Sequence, residues 1–251
     1  MEGQVQDSDV IPVHLIAGPT GTGKSQAATN LALRTGSTIV VADRLQCYAE
    51  IATTSTRTGA DTPGTHRVWL CERTVADGDY SAEEAVDNLV EQLTLAASPG
   101  APVIVEGGSI SLLILLAAHL DRLPWAVTPT LLTRPSAPGQ YVKNLAARAA
   151  AMLRPTPPQP GLLQELAHLW RDPVNRWFAA SVNGFEAALE WCAKYSLDPQ
   201  DPAAEAIPNS LLDELSTMIA ERHMEHGTCQ EKIFRDLFSE WKSDAFTVRS
   251  A

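Results

Sequence analysis

Residues 11–25, IPVHLIAGPTGTGKS, constrain the fold of this chain more than any other stretch. An apolar run, residues 13–17, leads into Gly18-x4-Gly23-Lys24-Ser25, and a helix-forming segment follows. Glycines permit backbone angles that side chains block. Successive N–H groups, those of Gly18, Gly21, Thr22 and Gly23 among them, can then turn inward onto phosphate oxygens beside the positive end of a helix. Lys24 is expected to bridge the terminal phosphates and Ser25 to help hold Mg²⁺. Strand, glycines, lysine and serine together form the Walker A pattern in the strand–loop–helix context it requires. A glycine turn that merely opens a helix is the simpler alternative, and it does not call for the Lys-Ser pair. The pattern asks for a phosphorylated ligand without naming it.

The rest of the chain supplies the matching alternation. Residues 12–17, 37–42 and 102–105 read as buried strands, 67–71 as a weaker one, and 130–133 as a final one amid prolines. Helices are predicted over 25–34 and 81–97. In the second of these, Ser81 and Glu84 make a capping box, and Ala85, Leu89, Val90 and Leu93 make an apolar stripe. Strands alternating with helices imply an α/β fold with a right-handed parallel sheet. Beyond residue 135 the pattern turns helical, over 140–153, 162–171, 174–195, 209–225 and 228–243, with connectors at 154–161 and 198–208. The expected organisation is a flexible segment 1–11, a P-loop NTPase-like α/β core over 12–135 with its parallel sheet flanked by helices, and a C-terminal helical cap over 136–251. In such sheets ligands bind beyond the strand C-termini, so Lys24, Asp43 and Glu106 are expected to converge.

Composition narrows the partners. With 251 residues and 45% hydrophobic content the chain can bury a real core. Its net charge of −11 and lack of a dense Lys/Arg run disfavour nucleic-acid polymers and leave room for a small anion in a local basic pocket. Cys47, Cys71, Cys192 and Cys229 lack paired spacing and read as free thiols of a reducing compartment. The polar, acidic N-terminus is unlike a secretory leader. The longest apolar run, residues 112–118, falls far short of the roughly 20 residues that span a bilayer. The expectation is a cytoplasmic monomer with no membrane contact.

Asp43 follows the second strand on the edge that carries the phosphate loop. It reads either as an acid serving an acceptor group or as a cap for the next turn. His223, His226 and Cys229 recur every three residues, a spacing able to present metal ligands, although a fourth ligand is lacking and a polar helix face is the simpler reading. Trp170, Trp177, Phe178, Phe185 and Trp191 crowd the predicted cap helices. Aromatics at helical spacing usually mean core, but one or two remain available to wall an apolar slot.

Four motifs taken together resemble a known family: GPTGTGKS, then Asp43-Arg44-x-Gln46, then residues 106–113 (EGGSISLL), then Met152-Leu153-Arg154-Pro155. Over residues 12–235 the chain looks like the bacterial adenylate isopentenyltransferases of cytokinin biosynthesis, relatives of the tRNA dimethylallyltransferases. The resemblance implies that the loop holds the diphosphate of dimethylallyl diphosphate and that the acceptor is the N6 amine of AMP. Asp43 matches the family's general base, and Thr20 a residue near the reacting centre. Lys24, the loop amides, Mg²⁺ through Ser25, and Arg148 would stabilise the leaving diphosphate. Ser55 and Arg57 fall where the family contacts the AMP ribose and phosphate. His226 matches a histidine of the donor-tail pocket, whose usual acidic companion is here Asn183. That departure puts use of a hydroxylated donor in question.

Other readings share the loop. In tRNA prenylation the same site would act on a polymer, but the acidic balance and Arg44, where the tRNA enzymes usually carry Ser, count against it. A P-loop kinase of small molecules would use Lys24, Ser25 and Asp43 on ATP and a hydroxyl, yet residues 135–161 are rich in Pro and Ala and lack an arginine-rich lid. A non-catalytic nucleotide-binding module would not need the acid, the lysine and the cap arginine together.

Overall fold

Strand β1 (Ile11–Ala17) occupies the interior of a parallel six-stranded sheet. Its neighbours in chain order are β2 (Thr38–Ala42), β3 (His66–Trp69), β4 (Val103–Gly107), β5 (Trp125–Thr133) and β6 (Thr247–Ser250), arranged β3-β2-β4-β1-β5-β6. The computed structural model describes residues 10–57, 62–98, 100–202, 207–239 and 247–250. Strand alternation divides the apolar residues between two faces. Ile16, Ile39, Ile104 and Leu132 pack on Ala28 and Ala32 of α1 (Lys24–Thr35). Leu15, Val40, Val105 and Leu131 face the larger core. There they meet Leu89 and Leu93 of α2 (Ala82–Ala96), and Leu112 and Leu113 of α3 (Ile110–His119).

That larger core continues into the C-terminal helices: α4 (Pro138–Leu153), α5 (Leu162–Trp170), the short α6 (Arg176–Ala179), α7 (Asn183–Tyr195) and the long α8 (Asn209–Ser239). Leu166, Phe185, Trp191, Leu215 and Phe234 belong to the same buried cluster as the sheet residues. No helix among the described residues is long and apolar enough to cross a membrane.

Several boundaries differ from the sequence reading, each for a local reason. The capping box at Ser81 and Glu84 forms as expected, but the buried stripe runs through Val86, with Val90 only half-buried. Strand β5 begins at Trp125, well before 130, and contains Pro129. β6 pairs only with residues 130–133, so Pro129 lies where β5 is still an edge, the place where a strand tolerates a missing N–H. The helix expected over 174–195 breaks at residues 180–182 into α6 and α7. Thr247–Ser250, assigned to the helical cap, adds β6 to the sheet instead. Residues 1–9 of the expected flexible segment, and 240–243 of the last expected helix, lie outside the described residues, and Ile11 already opens β1.

The two helices expected over 209–225 and 228–243 are one. Gly227 lies between the two expected ranges, and α8 runs straight through it. Its role is close approach, because a Cβ there would lie 2.4 Å from the Tyr141 hydroxyl and 3.3 Å from Cβ of Pro19. We expect Gly227→Ala to lower stability by about 1–3 kcal/mol in chemical denaturation, the usual cost of overpacking. In a Tyr141→Phe background, which removes the clashing oxygen, the same change should cost less than half as much.

Candidate functional site

The loop after β1 is built from within. Gly18 sits at φ 151, and a Cβ on it would lie 2.3 Å from the Leu132 carbonyl oxygen, so only glycine fits between β1 and β5. The Pro19 carbonyl accepts hydrogen bonds from the Thr22 hydroxyl and from Lys24 Nζ, both at 2.8 Å. Gly23, in the left-handed region, caps α1. Gly18 and Thr22 therefore shape the loop from behind, whereas Thr20, Gly21, Gly23, Lys24 and Ser25 line a cavity of about 760 Å³.

This cavity opens beyond the ends of β1, β2 and β4 and is closed by the C-terminal helices. Asp43, Ser55, Arg148, Asn183, His223, His226 and Gln230 line it too, so most of the residues singled out in the sequence meet here. Asp43 is held by the turn that follows it. Its Oδ1 accepts from the Leu45 N–H at 3.0 Å and its Oδ2 from the Gln46 side chain at 3.4 Å. Asp43 thus caps the turn as one reading expected, and it also lines the cavity. Arg148, from α4, donates to the Thr56 hydroxyl at 2.6 Å, and its Nε is buried without a partner.

Two expected members sit elsewhere. Glu106, only 3% exposed, pairs with Arg67 on the α1 face of the sheet, in phase with Ile104, and does not line the cavity. Strand alternation turns it away from Asp43 and Lys24. Arg57 also lies outside the lining: it pairs with Glu72 and its guanidinium rests 4.6 Å from the Trp69 ring centre. His223, His226 and Cys229 form no metal-binding group, and none of three or more His, Cys, Asp or Glu side chains occurs among the described residues.

The electrostatics is that of a cradle for an anion. Burial, then the Arg148 charge, pull the Lys24 ammonium down to about 8, with Asp43 working the other way. His223 is lowered to about 4 by burial, Arg148 and His226, and stays neutral at physiological pH. Desolvation by the surrounding walls also lowers His226, opposed by Asp43 and aided by Lys24.

The braces of the loop carry no sequence signal. Gln230 of α8, 5% exposed, accepts from the Thr20 N–H at 3.2 Å and donates to the Gly108 carbonyl at 2.6 Å. Tyr141 of α4 donates to the Thr20 carbonyl at 2.8 Å. Glu165 of α5 accepts from the Thr53 and Thr54 N–H groups and the Thr54 hydroxyl, fixing the segment that carries Ser55 and Thr56.

Residues 11–245 match a family model described as isopentenyl transferase. An adenylate dimethylallyltransferase of Rhodococcoides fascians is 39% identical over 227 residues, covering 90% of this chain and 89% of that protein. Another, from Ralstonia nicotianae, is 32% identical over 245 residues, covering 92% and 97%. A tRNA isopentenylpyrophosphate transferase from Bacillus halodurans superposes with a TM-score of 0.70 at 12% identity, covering 95% of this chain and 89% of that one. A eukaryotic dimethylallyltransferase acting on tRNA gives a TM-score of 0.62 at 15% identity, covering 96% and 74%. At these identities the structural likeness is one of fold.

The depressed Lys24 pKa has a measurable consequence. An anion in the cradle favours the charged amine and raises its pKa. Above pH 8, binding of inorganic pyrophosphate should therefore take up a proton, and its affinity should fall by up to about tenfold per pH unit. Calorimetry at pH 8.5–9 in buffers of differing ionisation enthalpy should record this uptake, and Lys24→Met should abolish it.

Proposed function

The chain belongs to the isopentenyl transferase family, and from that premise we propose that it transfers a dimethylallyl group from dimethylallyl diphosphate to the N6 amine of AMP, making N6-isopentenyl-AMP. The observation that carries this reading is one cavity joining the phosphate loop to Asp43 across a partly aromatic wall, with Tyr80, Phe178 and Val182 in its lining. A phosphate site alone would suit many nucleotide enzymes. A carboxylate facing the same space as the lysine, beside an apolar wall, suits attack of an amine on an allylic carbon.

The exocyclic amine of adenine is a weak nucleophile because its lone pair is delocalised into the ring. As it bonds to C1 of the donor, Asp43 takes the proton that N6 loses. The C1–O bond breaks and the diphosphate leaves with the electron pair. General-base help of this kind is worth ~10²–10⁴-fold. Charge accumulating on the diphosphate oxygens meets Lys24, Arg148 and the loop amides near Thr20, which differential stabilisation of the transition state requires. Among the described residues Lys24 Nζ bonds the Pro19 carbonyl, a partner it can exchange for a phosphate oxygen. Ser55 is the candidate contact for the acceptor's ribose and phosphate. Arg57 would have to leave Glu72 to join it. His226 and Asn183 face the same cavity and are the candidates for the end of the donor chain.

Mg²⁺ fits the residues present. Ser25, in the first turn of α1, is exposed in the cavity lining, and its hydroxyl makes no hydrogen bond among the described residues. Magnesium takes few protein oxygens and completes its shell with phosphate and water. When bound it would draw charge from the leaving diphosphate. The acidic balance favours a free nucleotide over a polynucleotide acceptor.

Purified protein with Mg²⁺, dimethylallyl diphosphate and labelled AMP should yield N6-isopentenyl-AMP and pyrophosphate. Product formed only on tRNA, or phosphoryl transfer without prenylation, would replace this reading. Asp43→Ala should lower kcat at least about 100-fold while leaving donor affinity largely intact. A variant with near wild-type kcat would remove Asp43 from the mechanism.

A further inference from the structure

Two exposed apolar side chains among the described residues, Leu45 and Trp177, line the reaction cavity. Apolar surface left open to water at a ligand cavity marks a place for apolar ligand surface. Leu45 is tied to Asp43 through its own N–H. Trp177 lies on α6, at the lip of the cavity, and is 47% exposed.

Contacts on both sides of Trp177 hold this lip, one of them to the turn that follows Asp43. Asp172 caps the turn before α6, accepting from the Val174 N–H at 3.0 Å. Arg176 donates to the Trp170 carbonyl at 2.9 Å and lies 5.3 Å from the centre of that indole. Phe178, which is buried, packs against Tyr48 with ring centres 4.6 Å apart, and Tyr48 ends the turn that begins at Asp43. Trp177 and Phe178 are T-shaped, with ring centres 5.7 Å apart at 84°, and about half of the Trp177 surface stays open at the cavity lining.

We propose that Trp177 is a specificity-determining residue that stacks on the purine ring of the acceptor nucleotide. The inference rests on the acceptor assigned above. A purine whose amine meets Asp43 has its ring beside the Tyr48–Phe178 wall, and a flat indole on that lip gives it a stacking partner at low entropic cost. An alkenyl chain is the poorer occupant: its slot must keep water from a reactive allylic carbon, and a half-exposed indole does not seal. The diphosphate end of the donor is tied to the Lys24 side.

The test uses the full-length protein and two variants, Trp177→Ala and Trp177→Phe, each checked for an unchanged melting temperature, which an exposed residue should give. AMP without donor should quench part of the wild-type tryptophan emission. Trp177→Phe should lose that quench while keeping most of the affinity, because a phenyl ring still stacks. Trp177→Ala should raise the KM for AMP by roughly 5- to 150-fold, the range for losing one base–aromatic stack, and move the KM for dimethylallyl diphosphate by less than about twofold. A rise in the donor's KM in place of AMP's would make the indole a wall of the prenyl slot and overturn the inference. Equal AMP binding by wild type and Trp177→Ala would overturn it as well, leaving the transfer reaction standing. If AMP neither quenches nor binds the wild-type protein, the acceptor reading itself falls and this inference with it.

Discussion

The approach of α8 to the phosphate loop governs the rest of this structure. A helix can lie against a glycine-rich loop only where its side chains stand aside, and Gly227 supplies that gap between Pro19 and Tyr141. One turn on, the Gln230 amide joins the Thr20 N–H to the Gly108 carbonyl, so the loop after β1 and the loop after β4 are locked to the same helix. Tyr141 takes the Thr20 carbonyl from the other side. Both backbone polar groups of Thr20 are thereby satisfied by protein. The helical part is thus a structural component of the phosphate site as well as its roof.

The same packing explains how a chain of net charge −11 keeps an anion site. Lys24 and Arg148 enter the cavity from opposite elements, α1 and α4, and each weakens the charged state of the buried lysine or histidine near it. Asp43 offsets only part of this. A cluster of like charges with one carboxylate is electrostatically unfinished, and an anion bearing more than one charge completes it. A field of this kind is local, so the sign of the charge inside the pocket differs from that of the chain as a whole.

Much of this was legible in the sequence, because local chemistry carried it. The loop motif needs its glycines, lysine and serine in order, and the strand before and helix after it follow from periodicity. Asp43 is found by counting to the end of the next strand. Misjudged features depended on the third dimension. Glu106 stands at the end of β4 as Asp43 stands beyond β2, but strand alternation sends its side chain to the other face. Gly227 looks like a helix stop because propensity penalises glycine in a helix, and only the presence of Tyr141 turns that penalty into a requirement. Gln230, Tyr141 and Glu165 had no motif to mark them: their partners lie far away along the chain, and Gln and Glu are usually surface groups. Arg57, expected on family grounds to contact the nucleotide, is held outside the cavity lining by Trp69 at the end of β3 and by Glu72 beyond it.

Segment 53–57 shows how such long-range pairing creates a site that local preference opposes. Thr56 adopts φ 58, a region that β-branched residues avoid. Strain of this order persists only where surroundings over-determine it. Here they do: Glu165 grips the two residues before Ser55, and Arg148 takes the Thr56 hydroxyl. Glu165 is the costly part, since burial raises its pKa against the hydrogen bonds that lower it. A buried carboxylate with three donors is justified by what it holds, namely the Ser55 wall of the cavity and the anchor of Arg148. That anchor keeps the guanidinium facing Lys24 and His223. The strained turn, the buried acid and the cap arginine are therefore one unit, and the cationic side of the cavity exists because α5 and α4 converge on a loop from the sheet.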